Sequence, residues 1–542
     1  MKKIFLVLLL YPLLSSSQIQ NTFSKDIVVV NYKEKVLSDS IGKFWQHKDI
    51  FFDTLPGSSI DKAYQELWLS PKDSIIIAII DSGVDINHEE LQGHFWTNNN
   101  EVPGNHLDDD KNGYIDDIHG WNFLGNSKGK SISYARKEFI RILCDKGYFK
   151  NGKIKDGDSI GKKAEKIFKE QIKTLDEDWE YVIGIENDYK RIGKDLKEYF
   201  PNKNYSLEKI KKIDTIANPN LAFSVKKLDY YLTYEATLDW MVDFKKYLKA
   251  LKKFKLNPDF DDRKEIGDDI NDLFDKSYGN GDITPVDETE IHATAVAGLI
   301  AAKRNNKKGG NGVINNVKLM MIRAVPSGDE YDKDIALAIR YAVDNGAKII
   351  NMSFGKLFSM QPEFVKEAIK YASKHDVLLV HGAGNDNLNI DQHNFYPLDY
   401  STSKNEITDN FINVGALNYK MNHKFPAYFS NYGKLNVDIF APGYELHTTI
   451  PENSYITESG TSFAAPIVTG IAAMVRLKYP LLSAKQVKQI IIESGNKYHL
   501  QVRIPGKTKS PRVPFSELSK SGKVVNAYNA LLMAEQISKS KN

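Results

Sequence analysis

Gly460-Thr461-Ser462-Phe463-Ala464-Ala465-Pro466 runs directly into Ile467-Val468-Thr469-Gly470-Ile471-Ala472-Ala473-Met474-Val475. A small-residue turn leading into so apolar a run predicts a buried helix over 463–477, with Ser462 at its N-terminus. Backbone N–H groups there lack helical partners, and the helix dipole favours developing negative charge. A serine hydroxyl is a weak nucleophile unless a base takes its proton and a third group orients the base. Two distant segments offer such groups. Ile75-Ile76-Ile77-Ala78-Ile79-Ile80 is the continuous apolar run of a fully buried parallel strand, and Asp81-Ser82-Gly83-Val84 follows it. His292-Ala293-Thr294-Ala295-Val296-Ala297-Gly298 opens a small-residue helix with an imidazole. Each has an ordinary reading alone: a turn carboxylate, one histidine among twelve, a helix-capping serine. It is their combination that points to nucleophilic catalysis.

A fourth segment, Ala383-Gly384-Asn385-Asp386, follows the apolar strand candidate Val377-Leu378-Leu379-Val380. The chain order Asp81, His292, Ser462, with this asparagine between the last two, resembles the subtilisin-like serine proteases. The resemblance covers about residues 70–128 and 285–540, taken element by element. It implies Ser462 as nucleophile, His292 as general base, Asp81 as the orienting carboxylate and Asn385 as an amide donor to the oxyanion. It also implies a cleft walled by Ser353-Phe354-Gly355 and by Ala383-Gly384, in which a peptide lies extended as an added strand. Two departures from the family pattern stand out. Ala293 and Ala295 replace a glycine and a second histidine near the base, and Phe463 replaces a methionine after the serine. A misplacement of around 1 Å at such a site can cost about a hundredfold in rate.

The alternation of elements supports an α/β fold with a doubly wound, mostly parallel sheet. Strands are expected at 75–80, 317–322, 348–352, 377–380, 411–414 and 437–440. Helices are expected at 292–303, 333–345, 363–373, 463–477, 484–493 and 525–536. The site should then lie at the carboxyl ends of the strands. Domain organisation is read as a signal peptide (1–18), an N-terminal extension or short propeptide (19–70), a first catalytic part (71–129), a helical insertion (130–284) and a second catalytic part (285–542).

Composition narrows the rest. The chain has 542 residues, 42% hydrophobic and 26% charged, with 73 basic against 70 acidic residues for a net charge of +3. Nothing in that balance calls for nucleic acid or a membrane surface as partner; protein or peptide substrates are the expected partners, and oligomeric state is left open. Met1-Lys2-Lys3, the apolar Ile4–Leu10 and Ser15-Ser16-Ser17 make the three parts of a secretory signal, too short to span a bilayer stably. Export to a periplasmic or extracellular location is therefore expected. The single cysteine, Cys144, excludes an intramolecular disulfide, which leaves core packing and a bound metal as the means of stabilising the chain.

Asp108-Asp109-Asp110-Lys111-Asn112-Gly113-Tyr114-Ile115-Asp116-Asp117 places oxygen side chains at alternate positions around a glycine turn. Calcium held by Asp108, Asp110, Asn112, the Tyr114 carbonyl and Asp116 is one reading, favoured by the resemblance. A solvated acidic turn is the other, because position twelve is His119 and no glutamate closes an EF-hand. In the insertion, Ile160, Ala164, Ile167, Phe168, Ile172, Leu175, Trp179, Val182, Tyr189, Ile192, Leu196 and Tyr199 recur at helical spacing, and a second run extends from Leu228 to Leu251. This predicts a helical hairpin, either a scaffold decoration or a lid over the cleft. A rival to the enzyme reading is a catalytically weak or silent protein that captures peptides in the same cleft.

Overall fold

The computed structural model describes residues 23–28, 37, 42–68, 71–276, 278–401 and 405–540; the signal-peptide expectation falls outside them. Contacts divide the chain into two compact units, Met1–Ser133 with Arg263–Asn542, and Tyr134–Asp262.

The first unit is organised by a ten-stranded sheet. In chain order the strands are β1 Asp26–Val28, β2 Ile75–Asp81, β3 Gly120–Asn122, β4 Val317–Arg323, β5 Ile349–Met352, β6 Leu378–Gly382, β7 Phe411–Leu417 and β8 Ile439–Pro442. Then come the hairpin β9 Leu446–Ile450 and β10 Ser454–Glu458, β11 Asn496–His499, the two-residue pair β12 Gln501–Val502 and β13 Val513–Pro514, and β14 Lys523–Val524. The large sheet runs β1-β11-β14-β8-β7-β6-β5-β2-β4-β3. All its pairings are parallel except β11 with β14. Continuous apolar strands are what burial on both faces demands: Ile77, Ala78, Ile79 and Ile80 of β2 and every residue of β5, β6 and β7 are buried. Helices His292–Ala301, Asp332–Asp344, Pro362–Lys374 and Thr461–Lys478 supply the cover, with apolar clusters on both faces of the sheet. The fold is the α/β, mostly parallel architecture expected. Residues 19–70, where described, pack into this unit: β1 joins the sheet edge, and Trp45 is fully buried with its indole N–H on the Tyr444 carbonyl at 3.0 Å.

Residues 263–284, assigned to the insertion from sequence, belong to the sheet unit. Arg263 hydrogen-bonds Asp268 and Asp334, and Tyr278 donates to Asp334 at 2.6 Å. Asn280 exchanges backbone hydrogen bonds with Asn122 at the end of β3.

The second unit is helical, but it is not a two-helix hairpin. One helix, Ser159–Asp195, runs for 37 residues, capped by the Asp158 carboxylate accepting from Gly161 N–H. Its buried stripe is Ala164, Leu175, Val182, Ile185, Tyr189 and Ile192, the spacing of one helical face. The second apolar run is split into Ala222–Thr233 and Leu238–Ala250. Glu235 turns left-handed at φ 57°, Thr237 caps the next helix through Trp240 N–H, and Tyr189 Oη holds the Ala236 carbonyl at 2.9 Å. That cap restarts the helix without any glycine or proline to announce the break.

Candidate active site

Asp81 closes β2 in register with Arg323, the last residue of β4. Its carbonyl accepts from the N–H groups of Ala324 and Val325, which fixes the backbone that carries the carboxylate. The turn beyond is held by Glu290, whose carboxylate accepts from Gly83 N–H at 2.9 Å. Glu290 is itself locked by Arg323 through Nε at 2.9 Å and Nη2 at 2.5 Å. Arg323 is 1% exposed and also donates to Asn122 Oδ1 and the Ile132 carbonyl, so this buried cation has partners on every side.

The Asp81 side chain, 2% exposed, meets Nδ1 of His292 at 2.8 Å and 3.0 Å through its two oxygens. It also accepts from Ser82 N–H. His292 is the first residue of helix His292–Ala301, and its ring stays 35% exposed. Burial presses the imidazole pKa down, but the charge and hydrogen bond of Asp81 outweigh that and hold it above the ordinary value, with Glu458 acting in the same direction. Nδ1 against a carboxylate leaves Nε2 as the outward nitrogen, the tautomer a general base needs. The methyl groups of Ala293 and Ala295 are buried, so both alanines are absorbed by packing and the aspartate–histidine pair forms regardless.

Ser462 occupies the second position of helix Thr461–Lys478, and the ring of the next residue, Phe463, lies 5.5 Å from the His292 imidazole, centroid to centroid. Proline at 466 is what shapes this helix start. It has no N–H to give the Ser462 carbonyl four residues back, and the Ser353 hydroxyl donates to that carbonyl instead, at 2.8 Å. Ser353 in turn accepts from Asn351, whose carbonyl oxygen accepts from Thr469. The Ser353 side chain is thus turned into the fold.

Asn385 lies just beyond β6. Its Oδ1 accepts from the N–H and the hydroxyl of Thr461, at 2.9 Å and 3.1 Å, and the Thr461 hydroxyl accepts from Gly384 N–H at 3.0 Å. Since the oxygen must face those donors, the amide orientation is fixed and Nδ2 points the other way. A Cβ built on Gly460 would stand 2.7 Å from Ser462 Oγ and 3.5 Å from Asn385 Nδ2. One small space beside Gly460, which a larger residue would fill, therefore adjoins both the hydroxyl and the amide donor.

The remaining expected residues follow the strand ends. Ser353, Phe354 and Gly355 continue β5, and Ala383 and Gly384 continue β6, which pairs in parallel with β5. Behind Phe354 the buried His381 contacts the Phe354 carbonyl through Nε2 at 2.8 Å and Asn413 Oδ1 through Nδ1 at 3.1 Å. Burial pushes its pKa down to about 4, against the opposing effect of these bonds; its place is structural.

In the acidic loop the structure regroups the expected oxygens. Glu101, Asp110 and Asp117 bring carboxylate atoms within 4.8 Å of one another. Of the three carboxylates expected from sequence, Asp108, Asp110 and Asp116, only Asp110 is in that group. Asp108 accepts from the N–H groups of Asn112 and Gly113, and Asp116 from those of Gly104 and His106, so both hold the loop's backbone. The Tyr114 ring is buried against Trp121, Phe123 and Tyr341. Asn112 bridges Asp110 and Asp117 through its amide nitrogen, as does Asn98. Burial raises the Asp117 carboxyl to about 6 despite hydrogen bonds from Tyr341, Asn98 and Asn112. Three convergent carboxylates, each also hydrogen-bonded, make an oxygen-only set suited to a hard cation. Glu101 escaped the sequence reading because it precedes the aspartate run instead of closing it.

The chain is similar to known proteins over part of its length. A "Thermophilic serine proteinase" from Bacillus sp. (strain AK1) is 37% identical over 199 residues, covering 36% of this chain and 45% of that protein. "Subtilisin DY" from Bacillus licheniformis is 36% identical over 199 residues, covering 36% of this chain and 67% of its own length. The chain thus spans between about half and two thirds of the length of these relatives. Among solved structures, a cold adapted subtilisin-like serine proteinase aligns over 47% of this chain and 79% of its own, with 23% identity and a TM-score of 0.35. The family model described as "Subtilase family" matches residues 72–513, most of the sheet unit and all of the helical one, and the chain belongs to the subtilase family.

Proposed function

We propose that this protein is an exported serine endopeptidase that cleaves proteins through an acyl-enzyme. The observation that carries the reading is the hydrogen-bonded Asp81–His292 pair, with Ser462 at the N-terminus of the helix whose Phe463 packs on that imidazole and the Asn385 amide adjoining the same small space as the hydroxyl. In this reading His292 Nε2 takes the Ser462 proton as Oγ bonds to the scissile carbonyl carbon. The resulting oxyanion is held by Asn385 Nδ2 and the Ser462 backbone N–H, charge that exists only after attack and so is stabilised more than the substrate is. Collapse breaks the C–N bond, the imidazolium gives its proton to the departing amine, and water then releases the acyl group by the same route. The substrate lies extended between Ser353-Phe354-Gly355 and Ala383-Gly384, recognised through its backbone. The raised imidazole pKa fits a base that must be neutral to start and stable as a cation midway.

A serine-directed fluorophosphonate should label the folded protein, and Ser462→Ala should abolish labelling. Labelling that survives the mutation, or a folded wild type that resists the reagent, would sink the reading and leave peptide capture without catalysis. Export rests on the N-terminal sequence pattern and on one compatible fact: among the described residues, no helix is long and apolar enough to cross a membrane.

Calcium is the fitting occupant of the acidic loop, with Glu101, Asp110 and Asp117 as its carboxylates; its contribution there would be to tie the loop to the sheet by mass action on the folded state. Chelation should lower the melting temperature of the wild type and leave that of Asp110→Ala unmoved. Equal curves with and without chelator would reduce the loop to a hydrogen-bonded turn.

A further inference from the structure

The two cleft walls meet an aromatic ring that neither of them contributes. A Cβ built on Gly355 would fall 2.3 Å from Cε1 and 2.6 Å from Cζ of Phe395; one built on Gly384 would fall 2.6 Å from Cζ and 2.8 Å from Cε1 of the same ring. A single ring edge therefore stands where the side chains of both glycines would be. Distances under 3 Å to a rigid ring are not accommodated by real Cβ atoms, so the two glycines are what admit Phe395.

The ring has nowhere to go. The backbones of Lys356 and Tyr396 exchange hydrogen bonds, N to O at 3.1 Å and 2.8 Å, which clamps the residue next to Phe395 against the residue next to Gly355. The buried His381 ring stands behind it at 6.1 Å between centroids, pinned by its bonds to Phe354 and Asn413. Phe395 is 8% exposed and belongs to the main apolar core. A ring so packed is not a gate that swings away at little cost, because close-packed interiors do not yield by a side chain's volume.

We infer that Phe395 fills the floor of the pocket between Ser353-Phe354-Gly355 and Ala383-Gly384 and restricts the residue on the acyl side of the scissile bond to a small side chain such as alanine, glycine or serine. This rests on the protease reading and deepens it. Two glycine-lined walls with nothing between them would accept a large apolar side chain; with the ring in place, a large side chain and Phe395 compete for one volume. Discrimination by exclusion from an apolar pocket runs about 10–200-fold per misfitted methylene, so an aromatic side chain should be disfavoured by at least about a hundredfold.

The test uses two peptidyl diphenyl phosphonates that differ only in carrying alanine or phenylalanine next to the phosphorus, with the small fluorophosphonate as a reference for the nucleophile. Wild type should react with the alanine reagent at least about a hundredfold faster than with the phenylalanine one. Phe395→Ala should bring the two rates together, and Phe395→Leu, which keeps the apolar packing, should fall between. If Phe395→Ala does not fold, Phe395→Leu alone decides by whether the ratio drops. Wild type reacting equally with both phosphonates overturns the inference while the protease reading stands. So does a ratio unchanged in a folded variant that the fluorophosphonate still labels. A wild type that no reagent labels removes the protease reading, and this inference with it.

Discussion

The sheet unit and the long helix of the second unit both bury an apolar face, but their polar residues lead different lives. Around the site, polar side chains are inside the protein and each answers to particular atoms: Arg323 to Glu290, Asn122 and Ile132, Ser353 to the one carbonyl that Pro466 leaves unpaired. On helix Ser159–Asp195 the charged residues mostly face water and pair along the helix surface, as Lys169 does with Glu165 at 2.7 Å and Lys173 with Glu177 at 3.5 Å. In the first region an atom lost leaves a buried partner stranded. In the second, water replaces it.

The largest effect is expected at Asp81. Asp81→Asn keeps the shape but removes the charge and the correct tautomer, and kcat should fall by about 10⁴-fold. The pH profile gives the sign. Wild-type activity should rise as His292 loses its proton, with a midpoint on the alkaline side of a free imidazole because Asp81 holds that pKa up; the variant's residual activity should have its midpoint moved toward acid. By linkage, the same pairing stabilises the fold at low pH, a contribution that fades as pH climbs through the raised His292 value. An unmoved midpoint would break the assignment of that pair.

Next comes Glu290→Ala, which strands a buried guanidinium and frees the turn after Asp81. About 3–5 kcal/mol of stability should be lost, read as a drop in the urea midpoint. Ser353→Ala removes the donor from the part-buried Ser462 carbonyl and should cost about 1 kcal/mol. Lys169→Ala on the long helix should leave the urea midpoint almost unmoved, because solvent screens that exposed pair. A thermal or denaturant series that ranked Lys169 with Glu290 would erase the contrast between the two regions.

The same contrast governs what could be read from the sequence. The central strands were legible to within about three residues at each end, because double-sided burial forces unbroken apolar runs such as Ile75–Ile80. Parallel order followed from alternation with helices, and the Asp81, His292 and Ser462 segments announced themselves by the small residues needed at tight strand and helix ends. What escaped was whatever depends on a partner far away in the chain. Glu290 and Arg323 look like unremarkable charges until β2 and β4 are laid side by side. Asp117 and Glu101, not Asp108 and Asp116, converge on Asp110 in the carboxylate cluster, an arrangement set by how the loop folds back on itself and invisible to counting alternate positions. The break at Glu235–Thr237 was hidden for a local reason: apolar spacing resumes in phase after Thr237 restarts the helix. Edge strand β1 and hairpin β9–β10 are short and partly exposed, so neither shows a long apolar run.

The position of β2 in the sheet has a consequence for time as well as for shape. β2 lies between β4 and β5, and nothing made before Val317 can pair with either of its edges. A chain emerging residue by residue must carry Asp81 on an unpaired apolar strand while the whole helical unit is synthesised, since contacts so distant in sequence form late. Ser462 arrives later still, on a helix whose start is held by Asn385 and Ser353. The hydroxyl, the imidazole and the carboxylate therefore cannot meet until most of the chain has been made, and whatever chemistry they perform together is withheld for nearly the whole of synthesis.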